Sequence, residues 1–149
     1  MRLTLSSKVT GAHDDAAWAV AWNHISGAVL TGSVDETVKS WQQDSGEASA
    51  LDHQQTWTGH TLGVISLDVD SLGTAACSSA LDSFIRVWNL ENDSTIAVIE
   101  TAPSETWQVC FHPSQQKMLV AAAGGSANRV VAYDTADSEL SQQYSFPAV

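Results

Sequence analysis

Residues 58–92 read TGHTLGVISLDVDSLGTAACSSALDSFIRVWNLEN, and three residues in this stretch have a spacing that recurs in the chain. Asp82 follows His60 by 22 residues and precedes Trp88 by six. The same residue types have the same spacing 47 residues earlier, at His13, Asp35 and Trp41. Scattered residues would rarely coincide in this way, so the sequence predicts an array of repeats.

A third unit keeps the length and the apolar pattern of the other two but lacks the polar residues. Its Tyr133-Asp134 pair lies 45 residues after Trp88. Units of about 40–45 residues that end in a Trp-Asp-like pair are typical of four-stranded propeller blades. We therefore predict an incomplete all-β propeller whose three blades span about 12–58, 59–100 and 101–146, with residues 1–11 contributing a ring-closing strand.

Each unit contains four short runs rich in β-branched and aromatic residues, separated by Gly, Asn, Asp and Ser. In the first unit these runs predict strands at 18–22, 28–32, 37–41 and 55–58. In the second they predict strands at 63–68, 74–79, 84–88 and 95–100. In the third they predict strands at 106–111, 117–123, 129–133 and 140–146.

The composition is that of a soluble all-β domain. The chain has 149 residues, 44% of them apolar, and a formal net charge of −11 with only six Lys and Arg. Direct nucleic-acid binding requires clustered basic residues, so this composition argues against it. A membrane span needs about 18 consecutive apolar residues, and no run in the sequence approaches that length.

The two cysteines, Cys77 and Cys110, both fall inside predicted strands and lack C-x-x-C spacing. They are therefore predicted to be reduced, buried thiols rather than a disulfide or metal site. The N-terminal residues MRLTLSSKV contain no apolar run of signal-peptide length. Together these features predict an intracellular protein.

The recurring residues can be joined by hydrogen bonds. If the strands of a unit lie side by side, the turn with the Asp and the loop with the His meet at one end. An indole only donates, whereas a hydroxyl can accept from it and donate to an imidazole, which in turn donates to a carboxylate. The predicted networks, here called tetrads, are His13, Thr31, Asp35 and Trp41 in the first unit and His60, Ser78, Asp82 and Trp88 in the second.

The third unit is predicted to lack a tetrad. Its corresponding positions hold Ala102, Ala123, Ala127 and Tyr133. Its strand register must therefore depend on apolar packing and on the turn at Gly124-Gly125-Ser126. We expect this unit to be the softest of the three.

Ser78, His60 and Asp82 also have the composition of a hydrolase triad. Catalysis needs an exposed nucleophile beside an oxyanion hole, but this Ser lies inside a predicted strand and has no G-x-S-x-G elbow. The network is therefore predicted to be structural. His24, His53 and His112 fall in predicted turns as solvated residues, and no His or Cys cluster predicts a metal or cofactor site.

Trp18 and Trp107 occupy equivalent places, five residues after His13 and Ala102, where the first strand of a blade begins beside the central channel. Packing between blades and contact with a partner are both open interpretations. Acidic residues are expected at the same end, at Asp14, Asp15, Glu36 and Glu105. Indoles beside carboxylates suit a peptide with Arg next to an apolar residue, because Arg stacks on the ring and pairs with the acid.

The pairs Gly59-His60 and Trp88-Asn89, with Asp82, resemble the signature of WD repeats, and Ala12-His13 with Ser40-Trp41 is a looser match. Residues 58–92 also resemble one subfamily. It is the WD-repeat subunit of the superkiller complex, which in plants is the vernalization-independence WD-repeat protein. The same resemblance extends to the stretches AHDDAAWAVAW, LTGSVDETVKSW and APSETWQVCFHP.

This resemblance implies a non-catalytic adaptor without a cofactor, which binds protein subunits of multiprotein complexes. One is the cytoplasmic superkiller complex, in which a helicase feeds RNA to the exosome for 3′-to-5′ decay. The other is the nuclear RNA-polymerase-II-associated factor complex, which couples elongation to histone methylation. A helical-repeat scaffold subunit is the implied partner. Members of the subfamily have about seven blades, so this chain resembles the first three.

Two alternatives belong to other functional classes. A substrate receptor of a ubiquitin ligase usually carries Arg or Lys two places after the W-D pair, whereas Trp88-Asn89 is followed by Leu90-Glu91. An enzyme built on a propeller would need titratable groups that converge in the channel, and three blades do not supply them.

Overall fold

The structure is a computed structural model that describes residues 8–43, 51–101, 106–114, 118–123, 129–135 and 144–145. Every regular element in these residues is a β-strand, and the strands form three four-stranded antiparallel sheets. No helix in this part of the chain has the length and apolar character needed to cross a bilayer.

The three sheets follow one another along the chain. The first sheet contains β1 (Ala17–Trp22), β2 (Val29–Ser33), β3 (Val38–Gln43) and β4 (Leu51–Trp57). The second contains β5 (Val64–Val69), β6 (Ala75–Ala80), β7 (Phe84–Asn89) and β8 (Thr95–Glu100). The third contains β9 (Thr106–Phe111), β10 (Met118–Ala123), β11 (Arg129–Asp134) and β12 (Tyr144–Ser145).

Most predicted strands differ from the observed ones by a residue or two at an end, but β4 begins at Leu51 instead of Gln55. Its first half, Leu51-Asp52-His53-Gln54, is mostly exposed and polar. An edge strand can be held by main-chain pairing with β3 alone, so no apolar alternation marks it in the sequence. Residues 1–7 of the predicted ring-closing strand, and residues 140–143 and 146 of the last predicted strand, lie outside the described residues, while residues 8–11 form no strand.

The sheets stack so that β1 and β2 contact β5, and β5 and β6 contact β9. Because successive residues of a strand point to opposite faces, the second sheet supplies side chains to both interfaces. Ala76 and Trp88 pack in the apolar core shared with the first sheet. Cys77, Ile85 and Val87 pack in a second core with the third sheet. The face of the first sheet directed away from the second leaves Val20 and Trp22 exposed.

Two glycines allow the first and second sheets to approach closely. A Cβ atom on Gly32 would lie 2.6 Å from Cγ1 of Val64, a distance that forces one of the two strands to move. Gly73 has a φ of +70°, and a Cβ there would lie 2.5 Å from Oδ1 of Asn23. The side-chain amide of Asn23 donates to the carbonyl of Gly73 at 2.9 Å, so this turn of the second sheet is fixed to a turn of the first.

Candidate partner-binding site

The tetrad of the second sheet is a continuous chain of hydrogen bonds. Trp88 Nε1 donates to Ser78 Oγ at 2.9 Å, and Ser78 Oγ lies 2.8 Å from Nε2 of His60. Nδ1 of His60 lies 2.9 Å from Oδ2 of Asp82. His60, Ser78 and Trp88 are buried, so the network joins β6, β7, the loop before β5 and the turn after β6.

The first sheet repeats this arrangement with a threonine in place of the serine. Trp41 Nε1 donates to Thr31 Oγ1 at 2.8 Å, and Thr31 Oγ1 lies 2.8 Å from Nε2 of His13. Nδ1 of His13 lies 2.9 Å from Oδ2 of Asp35. Thr37 adds a fifth side chain, since its hydroxyl donates to Oδ1 of Asp35 at 2.6 Å.

The protonation of the second tetrad follows from its donors together with the burial of His60. The indole can only donate, so the Ser78 hydroxyl accepts from it. A neutral imidazole with its proton on Nδ1, facing Asp82, leaves Nε2 to accept the hydrogen bond that the Ser78 hydroxyl donates. Burial lowers the pKa of His60 against the opposing effect of Asp82, which agrees with a neutral ring at pH 7.

Each aspartate also holds the main chain at the end of its sheet. Asp82 accepts from the amides of Thr61 and Phe84, both at 3.0 Å. Burial by itself raises the pKa of Asp82, but these bonds and the one from His60 outweigh it, and the pKa is lowered. Asp35 behaves in the same way: burial opposes ionisation, and bonds led by the Thr37 hydroxyl lower its pKa to about 2. We call this end of the molecule the tetrad end.

Beside each tetrad a basic side chain bonds the main chain just before the histidine, a contact that the sequence did not predict. Nζ of Lys39 donates to the carbonyl of Ala12 at 2.9 Å, and Nη2 of Arg86 donates to the carbonyl of Gly59 at 2.7 Å. A Cβ on Gly59 would lie 3.1 Å from Cζ of Arg86, so glycine lets the guanidinium approach the chain. Both basic residues lie two places before the tetrad tryptophan, Trp41 or Trp88, and that repeated spacing could have identified them.

Trp18 and Trp107 lie at β-bulges. In β1 the pairing with β2 passes from Ala17 to Ala19 and skips Trp18. In β9 the pairing with β10 passes from Thr106 to Gln108 and skips Trp107. The second sheet has the same irregularity at Ile65. A bulge inserts an unpaired residue and redirects its side chain, so the first strand of each sheet has one such residue near the tetrad end.

The two indoles are half exposed, at 54% each. The packing interpretation of Trp18 applies in part, because one edge of its ring lies against the second sheet, and contact with a partner stays a prediction. A Cβ added to Gly63 would lie 3.4 Å from Cζ3 of Trp18. The remaining half of the ring is available to a ligand.

Three of the four predicted acidic residues can be placed. Asp14, Asp15 and Glu36 are exposed at the tetrad end, and Glu105 lies outside the described residues. The amide of Asp14 donates to the tetrad carboxylate of Asp35 at 3.0 Å, which fixes the loop that carries both Asp14 and Asp15. Glu36 has a φ of 70° in the tight turn between β2 and β3.

The third sheet is attached to the second by bonds that the sequence did not predict. Ser66 Oγ accepts from the amide of Val109 at 3.1 Å, and Asp68 Oδ2 accepts from the amide of Phe111 at 2.8 Å. Ser79 Oγ donates to the carbonyl of Thr106 at 3.2 Å.

Most positions that correspond to a tetrad in the third unit cannot be described. Ala102, Ala127 and the Gly124-Gly125-Ser126 turn lie outside the described residues. Tyr133, at the position of the tetrad tryptophan, is buried, and burial raises the pKa of its hydroxyl.

Two sequence predictions about single residues were wrong. Cys110 is exposed rather than buried, because it follows Val109 in β9 and points away from the core that Val109 fills; Cys77 is buried, and both thiols are free. His53 lies within β4 rather than in a turn, and its ring meets Trp41 edge-on at 5.4 Å. His24 is exposed and His112 is half-buried. Within the described residues no group of three or more His, Cys, Asp or Glu could hold a metal ion.

Residues 5–42 and 51–89 each match the family described as WD domain, G-beta repeat, and together they cover more than half of the chain. The chain belongs to the WD-repeat family. Its resemblance to the WD-repeat signature at the first two tetrads is thereby confirmed.

Curated relatives support the predicted subfamily. The chain is 40% identical over 151 aligned residues to the WD repeat-containing protein VIP3 of Arabidopsis thaliana, covering 99% of this chain and 45% of that protein. It is 27% identical over 112 residues to Superkiller complex protein 8 of Dictyostelium discoideum, covering 75% of this chain and 36% of that protein. The chain thus spans less than half the length of either relative.

A solved structure confirms the predicted fold class. The crystal structure of the Cps50 (Swd1) beta-propeller domain of Myceliophteria thermophila superposes with a TM-score of 0.78, covering 92% of this chain and 41% of that one. The sequence identity is 18%, so this likeness concerns the fold alone. The three sheets therefore have the fold of a partial β-propeller.

Proposed function

We propose that this chain forms part of a non-catalytic interaction scaffold, which binds a segment of a partner protein at the tetrad end. The observation that carries the proposal is the pair of half-exposed indoles at equivalent bulges, Trp18 and Trp107. Aromatic side chains with this exposure are the usual anchors of protein interfaces. The membership of the WD-repeat family supports an interaction role of this kind.

The electrostatics of the tetrad end favour a basic partner segment. Asp14, Asp15 and Glu36 are exposed there, while Lys39 and Arg86 donate to the carbonyls of Ala12 and Gly59. An arginine beside an apolar residue would combine an ion pair with stacking on an indole. Binding is therefore expected to weaken as salt is added.

The tetrad residues themselves are proposed to be structural rather than catalytic. Ser78 is buried, and its oxygen already accepts from Trp88 while facing His60. A nucleophile needs an open face toward a substrate carbonyl, which this hydroxyl does not have. The network is proposed to hold the bulged strand and the acidic loop in place.

The complexes proposed for the whole protein are the superkiller complex and the RNA-polymerase-II-associated factor complex. The likenesses to Superkiller complex protein 8 and to VIP3 support this assignment, together with the subfamily resemblance of the sequence. The proposed partner is a helical-repeat scaffold subunit, and the proposed locations are the nucleus and the cytoplasm.

Affinity purification from cells, followed by identification of the co-purifying subunits, tests this function. Each anchor contributes roughly 2 kcal/mol, or about 30-fold in affinity, so the double variant Trp18→Ala/Trp107→Ala should lose up to about 1,000-fold in affinity for the partner. Trp22→Ala is the matched control, because Trp22 is an exposed tryptophan of the same strand β1. Unchanged capture by a double variant that melts like the wild type would remove these residues from the site.

A further inference from the structure

A cleft lies between the first two sheets and opens toward the end opposite the tetrads. It has a volume of about 450 Å³, within the range of ligand clefts. Its lining comes from the turn between β1 and β2, the turn between β5 and β6, the turn after β7, and the strands β2, β3 and β4. No residue of the proposed tetrad-end site lines it.

The shape of this cleft is fixed before any ligand arrives. Asn23 Oδ1 accepts from the amides of Ile25 and Ser26, both at 3.1 Å, while its amide group holds the carbonyl of Gly73. Gln42 Nε2 donates to the carbonyl of Ser26 at 3.0 Å. The two turns that border the cleft are therefore tied to one another and to β3, and a ligand need not order them.

The lining has an apolar base and an acidic rim. Leu30 and Trp57 are buried, and Leu90 adjoins them in the apolar core. Glu91 and Asp93 are the charged residues of the lining, both are exposed, and neither forms an ion pair within the described residues. The cleft therefore favours a ligand that combines an alkyl chain with a positive charge.

Trp57 provides an independent observation. Trp57 is a lining residue of the cleft, and its indole Nε1 is buried without a hydrogen-bond partner among the described residues. Buried donors are paired in most proteins, so an unpaired one at a cleft calls for an acceptor from outside. The main-chain carbonyl of a bound peptide is such an acceptor.

We propose that this cleft binds an arginine side chain from a peptide segment of a partner protein. The arginine stem lies on the apolar base, and the guanidinium faces Glu91 and Asp93. Arginine fits better than lysine because its five N–H donors can serve carboxylates and the neighbouring glutamine oxygens of Gln54 and Gln55 together. The scaffold would then hold partners at both ends of the blades.

The probe for this site is the capped tripeptide acetyl-Leu-Arg-Leu-amide, titrated into the ¹⁵N-labelled protein. The indole signal of Trp57 should shift saturably. The matched peptide with citrulline in place of arginine should bind about tenfold more weakly, because it keeps the shape but loses the charge. A third peptide with lysine in place of arginine should bind with an affinity between those of the other two.

Variants separate this cleft from the tetrad end. Glu91→Gln/Asp93→Asn should weaken binding about tenfold, and asparagine tolerates the positive φ of 60° at position 93. Asp14→Asn/Asp15→Asn removes the same charge at the other end and should leave the Trp57 shift unchanged. Equal binding of the arginine and citrulline peptides, or a shift confined to Trp18 and Trp107, would overturn the proposal without affecting the proposed function.

Discussion

The second and third sheets have similar strand connections but hold their strands in register by different means. The second sheet contains its own network, from Trp88 through Ser78 and His60 to Asp82. The third sheet has Tyr133 and alanines at those positions, and its first strand is instead bonded to side chains of the second sheet. The strand register of a sheet can thus be fixed by a network inside the sheet or by bonds from a neighbouring sheet. The second sheet fixes its own register and also bonds the first strand of the third.

This difference has an energetic consequence. The tetrad side chains are buried, so removing one member leaves the others without partners in a region that water does not reach. The bonds from Ser66 and Asp68 reach the main chain of β9, and the Val109 amide lies in a buried setting. Loss of either bond leaves one amide without a partner, whereas loss of a tetrad residue leaves several groups unpaired.

The largest effect is expected from Asp82→Ala. The change removes the acceptor of His60 Nδ1 and of the amides of Thr61 and Phe84. The free energy of unfolding should fall by about 1–3 kcal/mol. Urea unfolding measures it, and Ala127→Ser at the corresponding position of the third unit is the control, with a much smaller expected change. Equal losses in the two variants would mean that the two sheets do not differ as described.

An intermediate effect is expected at the bond between the second and third sheets. Asp68→Ala removes the acceptor of the Phe111 amide and should lower the free energy of unfolding by about 1 kcal/mol. Asp68→Asn keeps an acceptor oxygen of the same size and should retain most of the stability. If both variants lose the same amount in urea unfolding, the charge rather than the hydrogen bond attaches β9.

A smaller effect is expected from pH. Because burial lowers the pKa of His60, the unfolded chain takes up a proton below about pH 6.5 that the folded chain does not. The stability from the neutral ring is fully present above that pH and is lost as the pH falls toward the folded pKa. The wild type should therefore lose more unfolding free energy than His60→Gln between about pH 7.5 and about pH 5.5. The third unit has Ala102 at this position and no corresponding titration.

The carboxylates respond at lower pH. The pKa of Asp35 is lowered to about 2 and that of Asp82 is also lowered, so their contribution is present above the ordinary carboxyl pKa of 3.8. It is lost as the pH falls from there toward the folded values.

The prediction for His60 is tested above the range in which the carboxylates titrate. Identical pH profiles of the unfolding free energy for the wild type and His60→Gln above about pH 5 would contradict a neutral buried imidazole.

The sequence predicts the fold class and the tetrads because both depend on repeated spacing. The 22-residue separation of His60 from Asp82 and the strand pattern are visible in one dimension. The bulge at Trp18 is not visible, since one skipped pairing leaves the apolar pattern unchanged. Its equivalence with Trp107 could be seen, but the ring's contact with Gly63 could not.

Other features depend on contacts between units and were out of reach of a linear pattern. Asp68 looks like an ordinary alternating polar residue of a strand, and only the packing of β5 on β9 gives it the Phe111 amide. The cleft near Trp57 combines turns from two repeats that are distant in sequence. The exposure of Cys110 likewise follows from which face of β9 meets the second sheet.

Amide hydrogen exchange of β7 and β11 tests the contrast between the sheets most directly. The matched positions are Val87 of β7 and Val131 of β11, since each is paired with a strand on both sides and packs in the same apolar core. These two positions differ mainly in the presence of a tetrad in the sheet. The amide of Val87 should exchange at least about tenfold more slowly than that of Val131, which corresponds to about 1.4 kcal/mol in opening free energy. Equal rates, or slower exchange in β11, would contradict the conclusion that the tetrad makes the second sheet the firmer one.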